Sequence, residues 1–185
     1  MLTLLTLAEI VEKVGSSAAE SFAAFYEQYL PKVYRYINYR VSDVPTSEDL
    51  TSMVFEKALN KFKSFDSRKA GFSTWIFTIA RNTLIDHFRS RRQTETVGLE
   101  TVMDNPSPLD SPEEEAERAE EISLLNSCLS GLSAPEKEII SLKFGAEMTN
   151  RQIAGVLSLT ESNVGVILYR AVRKLRDNFR GRQDG

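Results

Sequence analysis

Apolar residues along this chain return at three- and four-residue steps wherever a pattern can be read. From Phe22, the positions Phe25, Tyr26, Tyr29, Leu30, Val33, Tyr34 and Ile37 trace one stripe of a helix. Pro45 breaks that stripe. Thr46-Ser47-Glu48-Asp49 then supplies capping oxygens and first-turn acids for a second helix through Leu50, Val54, Phe55, Ala58 and Phe62. Ser64 to Gly71, SFDSRKAG, reads as a loop. A third helix carries Phe72, Trp75, Ile76, Ile79, Ala80, Leu84 and Phe88 on one side. No alternating segment is long enough to propose a sheet, so the expected fold class is all-α.

Periodicity disappears from Gln93 to about Pro112, where Asn105-Pro106-Ser107-Pro108 and Ser111-Pro112 cannot hold a regular helix. Helical pattern resumes at Glu113 and runs to Leu132. Ser133-Ala134-Pro135-Glu136 then opens another helix, with Ser133 as cap and Pro135 in the first turn, through Ile139, Ile140 and Leu142. Thr149 caps a short helix that turns Ile153, Ala154 and Leu157 inward. After the turn Ser158-Leu159-Thr160, a last helix buries Val164, Leu168, Ala171 and Leu175 at steps of four, three and four. The expected organisation is two small helical domains, 20–93 and 119–180, joined by a linker at 94–118. An N-terminal extension at 1–19 forms a short helix, and 181–185 is a flexible tail.

Charge sharpens this division. The formal net charge is −3, yet residues 1–94 carry 13 basic and 10 acidic side chains and residues 122–185 carry 9 and 6. Between them, residues 95–121 hold ten acids and one arginine. Two mildly basic segments thus flank a strongly acidic strap, which reopens nucleic acid as a partner despite the overall sign. The single cysteine, Cys128, excludes an internal disulfide and points to a reducing, cytoplasmic compartment. It sits in an apolar stretch and is expected to be buried and inert. The opening MLTLLTLAEIVEKVG lacks a basic n-region and is broken by Glu9, Glu12 and Lys13, and nowhere do 18 apolar residues run together. Neither a signal peptide nor direct membrane insertion is expected.

The last two short helices form a helix-turn-helix pattern, whose second helix enters a major groove. Its outward positions are Ser162, Asn163, Val166, Tyr169, Arg170, Arg173 and Lys174, with Glu161 in the first turn. Short polar groups at the N-terminal half suit base edges, and cations at the C-terminal half suit phosphates. A second basic stripe lies on the third helix, where Arg81 and Arg89 fall on one face with Ile85 and Arg91 and Arg92 extend the charge past the helix end. Trp75, Asn82 and the loop SFDSRKAGF lie alongside, and aromatics beside cations are what single-stranded nucleic acid requires. Most of Trp75 and all of Phe88 belong to the core.

These residues resemble a known family. FSTWIFTIARNTLIDHFRSRR resembles the −10-reading segment of extracytoplasmic-function (ECF) sigma factors, the smallest members of the sigma-70 family of bacterial RNA polymerase subunits. EDLTSMVFEKAL resembles the polymerase-binding helix that precedes it, and LSAPEKEIISLKFGAEMTNRQIAGVLSLTESNVGVILYRAVRKLR resembles the −35-reading domain. The resemblance makes 20–93 sigma domain 2 and 119–180 sigma domain 4. It implies that Asp49, Ser52, Met53 and Glu56 dock on the β′ clamp coiled coil of core polymerase. Phe65, Asp66, Ser67, Arg68, Lys69, Phe72 and Trp75, with Asn82, would border the pocket for a base flipped from the −10 element. Arg81, Arg89, Arg91 and Arg92 would hold phosphates of the melting strand. Thr149, Arg151 and the span from Glu161 to Arg173 would meet the −35 duplex, with Lys174 beside them and the β flap of polymerase near by. The acidic linker would run toward the RNA exit path, and an anti-sigma factor is the further partner that kinship implies.

Two places depart from the family's pattern: Ser52-Met53 stands where Gln-Glu is common, and Gly165-Val166-Ile167 where Lys-Ser-Arg is common. Val166 suits a thymine methyl. Gly165 costs about 1 kcal/mol of helix propensity, which points to a close approach there. Other chemistry finds little support. His87 beside Asp86 is an expected surface pair, since adjacent helix positions do not face each other. One His and one Cys build no metal cluster, no phosphate-cradling glycine loop is present, and Glu113-Glu114-Glu115 suits a helix start. No cofactor and no enzymatic activity are expected. The rival readings are a stand-alone helix-turn-helix repressor or activator, and a helical enzyme built on His87.

Overall fold

The computed structural model describes residues 16–68, 70–94 and 131–183. Expectations for the extension, the acidic linker, the helix from Glu113, Cys128 and Lys69 lie outside the described residues. Within them every regular element is helical: α1 Ser16–Val41, α2 Val44–Lys61, α3 Phe72–Thr94, α4 Ala134–Ile140, α5 Asn150–Leu157 and α6 Glu161–Gln183. A 3₁₀ turn, Phe62–Ser64, closes α2, and a π-helical turn, Ser141–Gly145, follows α4.

Pro31 lies inside α1, although it removes the donor that would reach the carbonyl of Glu27. The helix continues because Phe22, Val33, Tyr36 and Ile37, on both sides of the proline, are wholly buried. Tertiary packing outweighs the lost bond. The second helix starts earlier than its sequence suggests. Asp43 is its cap, with extended backbone and its Oδ2 accepting from Thr46 N at 2.9 Å, and Pro45 occupies the first turn. Thr46 to Asp49 are therefore inside the helix. In the same way α3 runs to Thr94, so Arg91 and Arg92 extend the helix itself rather than a segment beyond it.

The polar residues buried in α2 and α3 are satisfied locally. Ser47, Thr51 and Thr83 each donate to a carbonyl one turn back, at 2.6, 2.6 and 3.0 Å. Lys57 Nζ donates to Thr83 Oγ1 at 3.1 Å and ties α2 to α3.

The helix-turn-helix forms as its caps imply. Thr149 and Gln152 cap α5 reciprocally, with Thr149 N donating to Gln152 Oε1 at 2.8 Å. Ser158 takes the left-handed conformation at φ 56°, and Thr160 Oγ1 accepts from Asn163 N at 3.2 Å to start α6. Val164 and Ala171 are fully buried, and Leu168 and Leu175 partly so. Val156 is buried more deeply than Leu157, one position off the expected inward set.

The two helical groups share one core. Residues of α1 to α3 such as Ile37, Val54, Phe55 and Phe77 are continuous with Ile139, Leu142, Met148 and Ile153. A smaller seam of Leu132, Ile140 and Ala171 joins α4 to α6.

Glu136 fastens that seam. It accepts from Ser133 N and Oγ at 2.8 Å each and pairs with Lys174 Nζ at 2.8 Å. The bonds from Lys174 and Ser133 hold its carboxyl at about 2, below the ordinary 4.5. A depressed acid stabilises the fold above its unfolded value and loses that contribution as the pH falls. The melting-temperature gap between the native chain and Glu136→Gln should be constant above about pH 5.5 and shrink from pH 4.5 toward 2. A gap independent of pH would contradict this pairing.

Candidate nucleic-acid interface

On α6, Glu161, Ser162 and Asn163 are exposed at the helix start, followed by Val166, Tyr169, Arg170 and Arg173 on the outward side. Tyr169 is 69% exposed and Val166 45%, large apolar groups left uncovered among the described residues. Thr149 and Arg151, at the start of α5, are exposed as well. Among the described residues Arg173 has one distant partner, Asp177 Oδ2 at 3.9 Å. Lys174 differs from its expected role. Its ammonium is already paired with Glu136, so it braces α6 against the α4 cap before it meets any phosphate. Gly165 also departs from expectation. A Cβ there would meet only Asn150 Nδ2, at 3.9 Å, so nothing in the described residues approaches it closely.

The loop before α3 leads into an aromatic cluster. Phe65 lies 5.0 Å from Trp75 and 5.6 Å from Phe72, ring centre to ring centre, and all three pack around Phe62. Phe65 and Trp75 remain half-buried, with surface left for a planar ligand. Phe72 does not. It is 6% exposed and stacked on Phe25 at 4.0 Å with an interplanar angle of 7°, so it supports the cluster and cannot itself stack a base. The resemblance places Phe72 at the pocket; its stacking partner on α1 is a contact between distant segments.

In the loop, the Arg68 fork meets Asp66 through two bonds of 3.0 Å, and Arg68 N adds a third of 3.0 Å. These bonds keep the Asp66 carboxyl below its usual range. A phosphate must therefore compete with Asp66 for Arg68. Ser67 is exposed beside them. Farther along α3, Asn82, Arg89 and Arg91 are exposed. Arg92 lies in the same helix.

Asp49, Ser52, Met53 and Glu56 recur at helical spacing on the side of α2 opposite Leu50, Val54 and Ala58. Asp49, Met53 and Glu56 are exposed and Ser52 half-buried.

Arg40 and Glu138 lie outside the expected set. Glu138 on α4 accepts from Tyr36 Oη at 2.5 Å and pairs with Arg40 on α1, and Arg81 Nε lies 3.9 Å from its Oε1. The Arg40 guanidinium also sits 6.0 Å from the ring of Phe88. No local pattern announces this cluster, because its members come from three helices, with Glu138 lying 102 and 98 residues from Tyr36 and Arg40. Arg81, expected as a phosphate ligand, thus faces a carboxylate here.

His87 is half-buried, and desolvation first, then Arg91, pushes its pKa down. Asp86, beside it in the sequence, is exposed. Among the described residues no three His, Cys, Asp or Glu side chains gather as a metal site, and no helix is long and apolar enough to cross a membrane.

Two family models match the chain in sequence order: Sigma-70 region 2 over residues 25–94 and Sigma-70 region 4 over residues 122–175. The chain belongs to the sigma-70 family, in its ECF branch. It is 34% identical over 167 residues to the ECF RNA polymerase sigma factor BldN of Streptomyces coelicolor, covering 90% of this chain and 63% of that relative. The chain therefore spans somewhat less than two thirds of BldN. It is 28% identical over 164 residues to the ECF sigma factor SigX of Bacillus subtilis, covering 86% and 84%. Among solved structures, the sigma factor RpoE of Bartonella quintana, in complex with the anti-sigma factor NepR, superimposes with a TM-score of 0.67 at 22% identity. That match covers 87% of this chain and 98% of RpoE. CnrH, in complex with the cytosolic domain of CnrY, gives 0.55 at 24%.

Proposed function

We propose that this ECF sigma factor binds core RNA polymerase and directs it to promoters by reading a −35 and a −10 element and assisting −10 melting. Domain 2 spans 20–93 and domain 4 spans 119–180, with the acidic strap 94–118 between them. The exposed stripe Asp49, Ser52, Met53 and Glu56 docks on polymerase. Asn82, Phe65 and Trp75 receive an unstacked base, and Arg89, Arg91 and Arg92 hold its strand. The α6 face from Glu161 to Arg173 enters the −35 major groove, where Val166 offers a surface for a thymine methyl. Bond making belongs to the polymerase; this chain contributes recognition and strand separation, in the cytoplasm. The complex of RpoE with the anti-sigma factor NepR supports an anti-sigma factor as a further partner.

The observation that carries this reading is the sequential pairing of regions 2 and 4, each presenting an exposed polar or basic face. Co-elution of the purified chain with bacterial core polymerase tests it; a chain that elutes alone, at micromolar concentrations of both, overturns it. A narrower outcome concerns Asn82. Asn82→Ala should reduce permanganate-reactive thymines in the open complex about tenfold or more while duplex binding changes little, because flipping costs a few kcal/mol that a pocket must return. Equal losses in both measurements would remove Asn82 from that role.

A further inference from the structure

Resting on the promoter reading above, we infer that Asn150, Gly165 and Val166 form a thymine-reading site for the −35 element, with Lys143 as the positioning residue that sets its selectivity. Gly165 lies within the DNA-facing half of α6, where glycine weakens the helix more than any residue but proline. A Cβ there would meet only Asn150 Nδ2, at 3.9 Å, an ordinary contact. Among the described residues nothing requires the side chain to be missing. The glycine instead leaves a notch beside Val166, which is 45% exposed, and such a notch lets a ligand come close to the helix backbone.

Asn150, the first residue of α5, borders that notch from the other helix of the motif. Its orientation follows from donor chemistry. The Lys143 ammonium, on the π-helical turn, donates to Asn150 Oδ1 at 3.2 Å. An ammonium can only donate, so the atom facing it is the amide oxygen, and the NH₂ group is the one beside Gly165. A donor next to an apolar notch matches one base edge. In the major groove thymine shows its O4 acceptor beside the C5 methyl group, cytosine a donor, adenine one donor and one acceptor, and guanine two acceptors without a methyl. Adenine, the usual partner of asparagine, needs Oδ1 to accept from its amino group, and Lys143 holds that oxygen on its own side. Cytosine sets donor against donor. Guanine can accept from Nδ2 but leaves the notch and Val166 without an apolar partner. Thymine satisfies both, with O4 on Nδ2 and the methyl over Gly165 against Val166.

The test uses the full chain with core polymerase and the −35 sequence that this complex selects from a randomised duplex. Replacing one thymine of that sequence by deoxyuridine, which removes only the methyl group, should weaken binding about threefold or more. Gly165→Ala should keep or raise the melting temperature, since alanine favours the helix, yet weaken binding about fivefold and erase the difference between thymine and deoxyuridine. Asn150→Ala should cut the preference for thymine at that position about fivefold. Lys143→Met frees Oδ1 and should narrow the preference for thymine over adenine about threefold there, with other positions unchanged. A native complex indifferent to every deoxyuridine overturns the inference, as does a Gly165→Ala chain that binds as tightly as the native one or melts lower. An unchanged base preference in Asn150→Ala or in Lys143→Met overturns it too. If the complex selects no −35 sequence, the promoter reading fails. The same selection with the chain alone then decides the site, which falls if no thymine is preferred or if Asn150→Ala leaves that preference intact.

Discussion

Tyr36→Ala is expected to lower the melting temperature by about 6–20 °C, the largest loss for any single truncation considered. Tyr36 is wholly buried, meets Phe77 edge-on at 5.6 Å and donates to Glu138 at 2.5 Å. Removing a buried aromatic costs about 3–5 kcal/mol in transfer and cavity terms. In a chain of this size each kcal/mol is worth about 2–4 °C. Burial first, then the neighbouring carboxylate, pushes the phenol well above its ordinary 10, so it remains a donor across the working pH range. Tyr36→Phe separates the two contributions. It keeps the ring and removes the bond to a charged acceptor, a loss of about 1.5–3 kcal/mol. Calorimetry of the three proteins should rank them native, Phe, Ala; a Phe variant as unstable as Ala would mean that the hydroxyl, not the packing, dominates.

The second large effect is on duplex binding. Arg170→Ala with Arg173→Ala should flatten the dependence of log K on log salt by about 1.8 and weaken binding roughly 60-fold at 0.1 M salt, since each phosphate contact contributes a slope of about 0.9. Both side chains are exposed, and among the described residues Arg173 has only the weak Asp177 pair, so the fold should be unaffected. Fluorescence anisotropy at four salt concentrations measures the slope. A weaker complex with the original slope would mean that these arginines read bases rather than phosphates. The same loss is expected on every duplex sequence, because phosphate contacts carry no base information. Lys174→Ala should act differently, loosening the α4 seam before it changes the slope.

What the sequence made legible follows from the range of the interactions involved. Helix stripes and caps are local, so Thr149, Thr160 and Ser133 announced their helices correctly, and the outward face of α6 followed from the inward one. Local signals also misled where two were available. Thr46 to Asp49 offer capping oxygens, but Pro45 fits the first helical turn and Asp43 caps the helix. Pro31 and the run Arg91-Arg92 were settled by packing and by chain continuation, which propensity does not encode. The close approaches within the described residues fall at Gly145 and Gly155, whereas a Cβ at Gly165 would make only an ordinary contact with Asn150. Least legible of all were Phe72 stacked on Phe25 and the Tyr36, Arg40, Arg81 and Glu138 cluster, which depend on contacts between distant segments.

Run-off transcription on a promoter library, with core polymerase and this chain purified separately, bears most directly on the central claim. Discrete start sites that appear only when the chain is added, each preceded by a shared pair of sequence elements, are the predicted result. Duplex binding without any new start site would instead make this chain a stand-alone DNA-binding regulator.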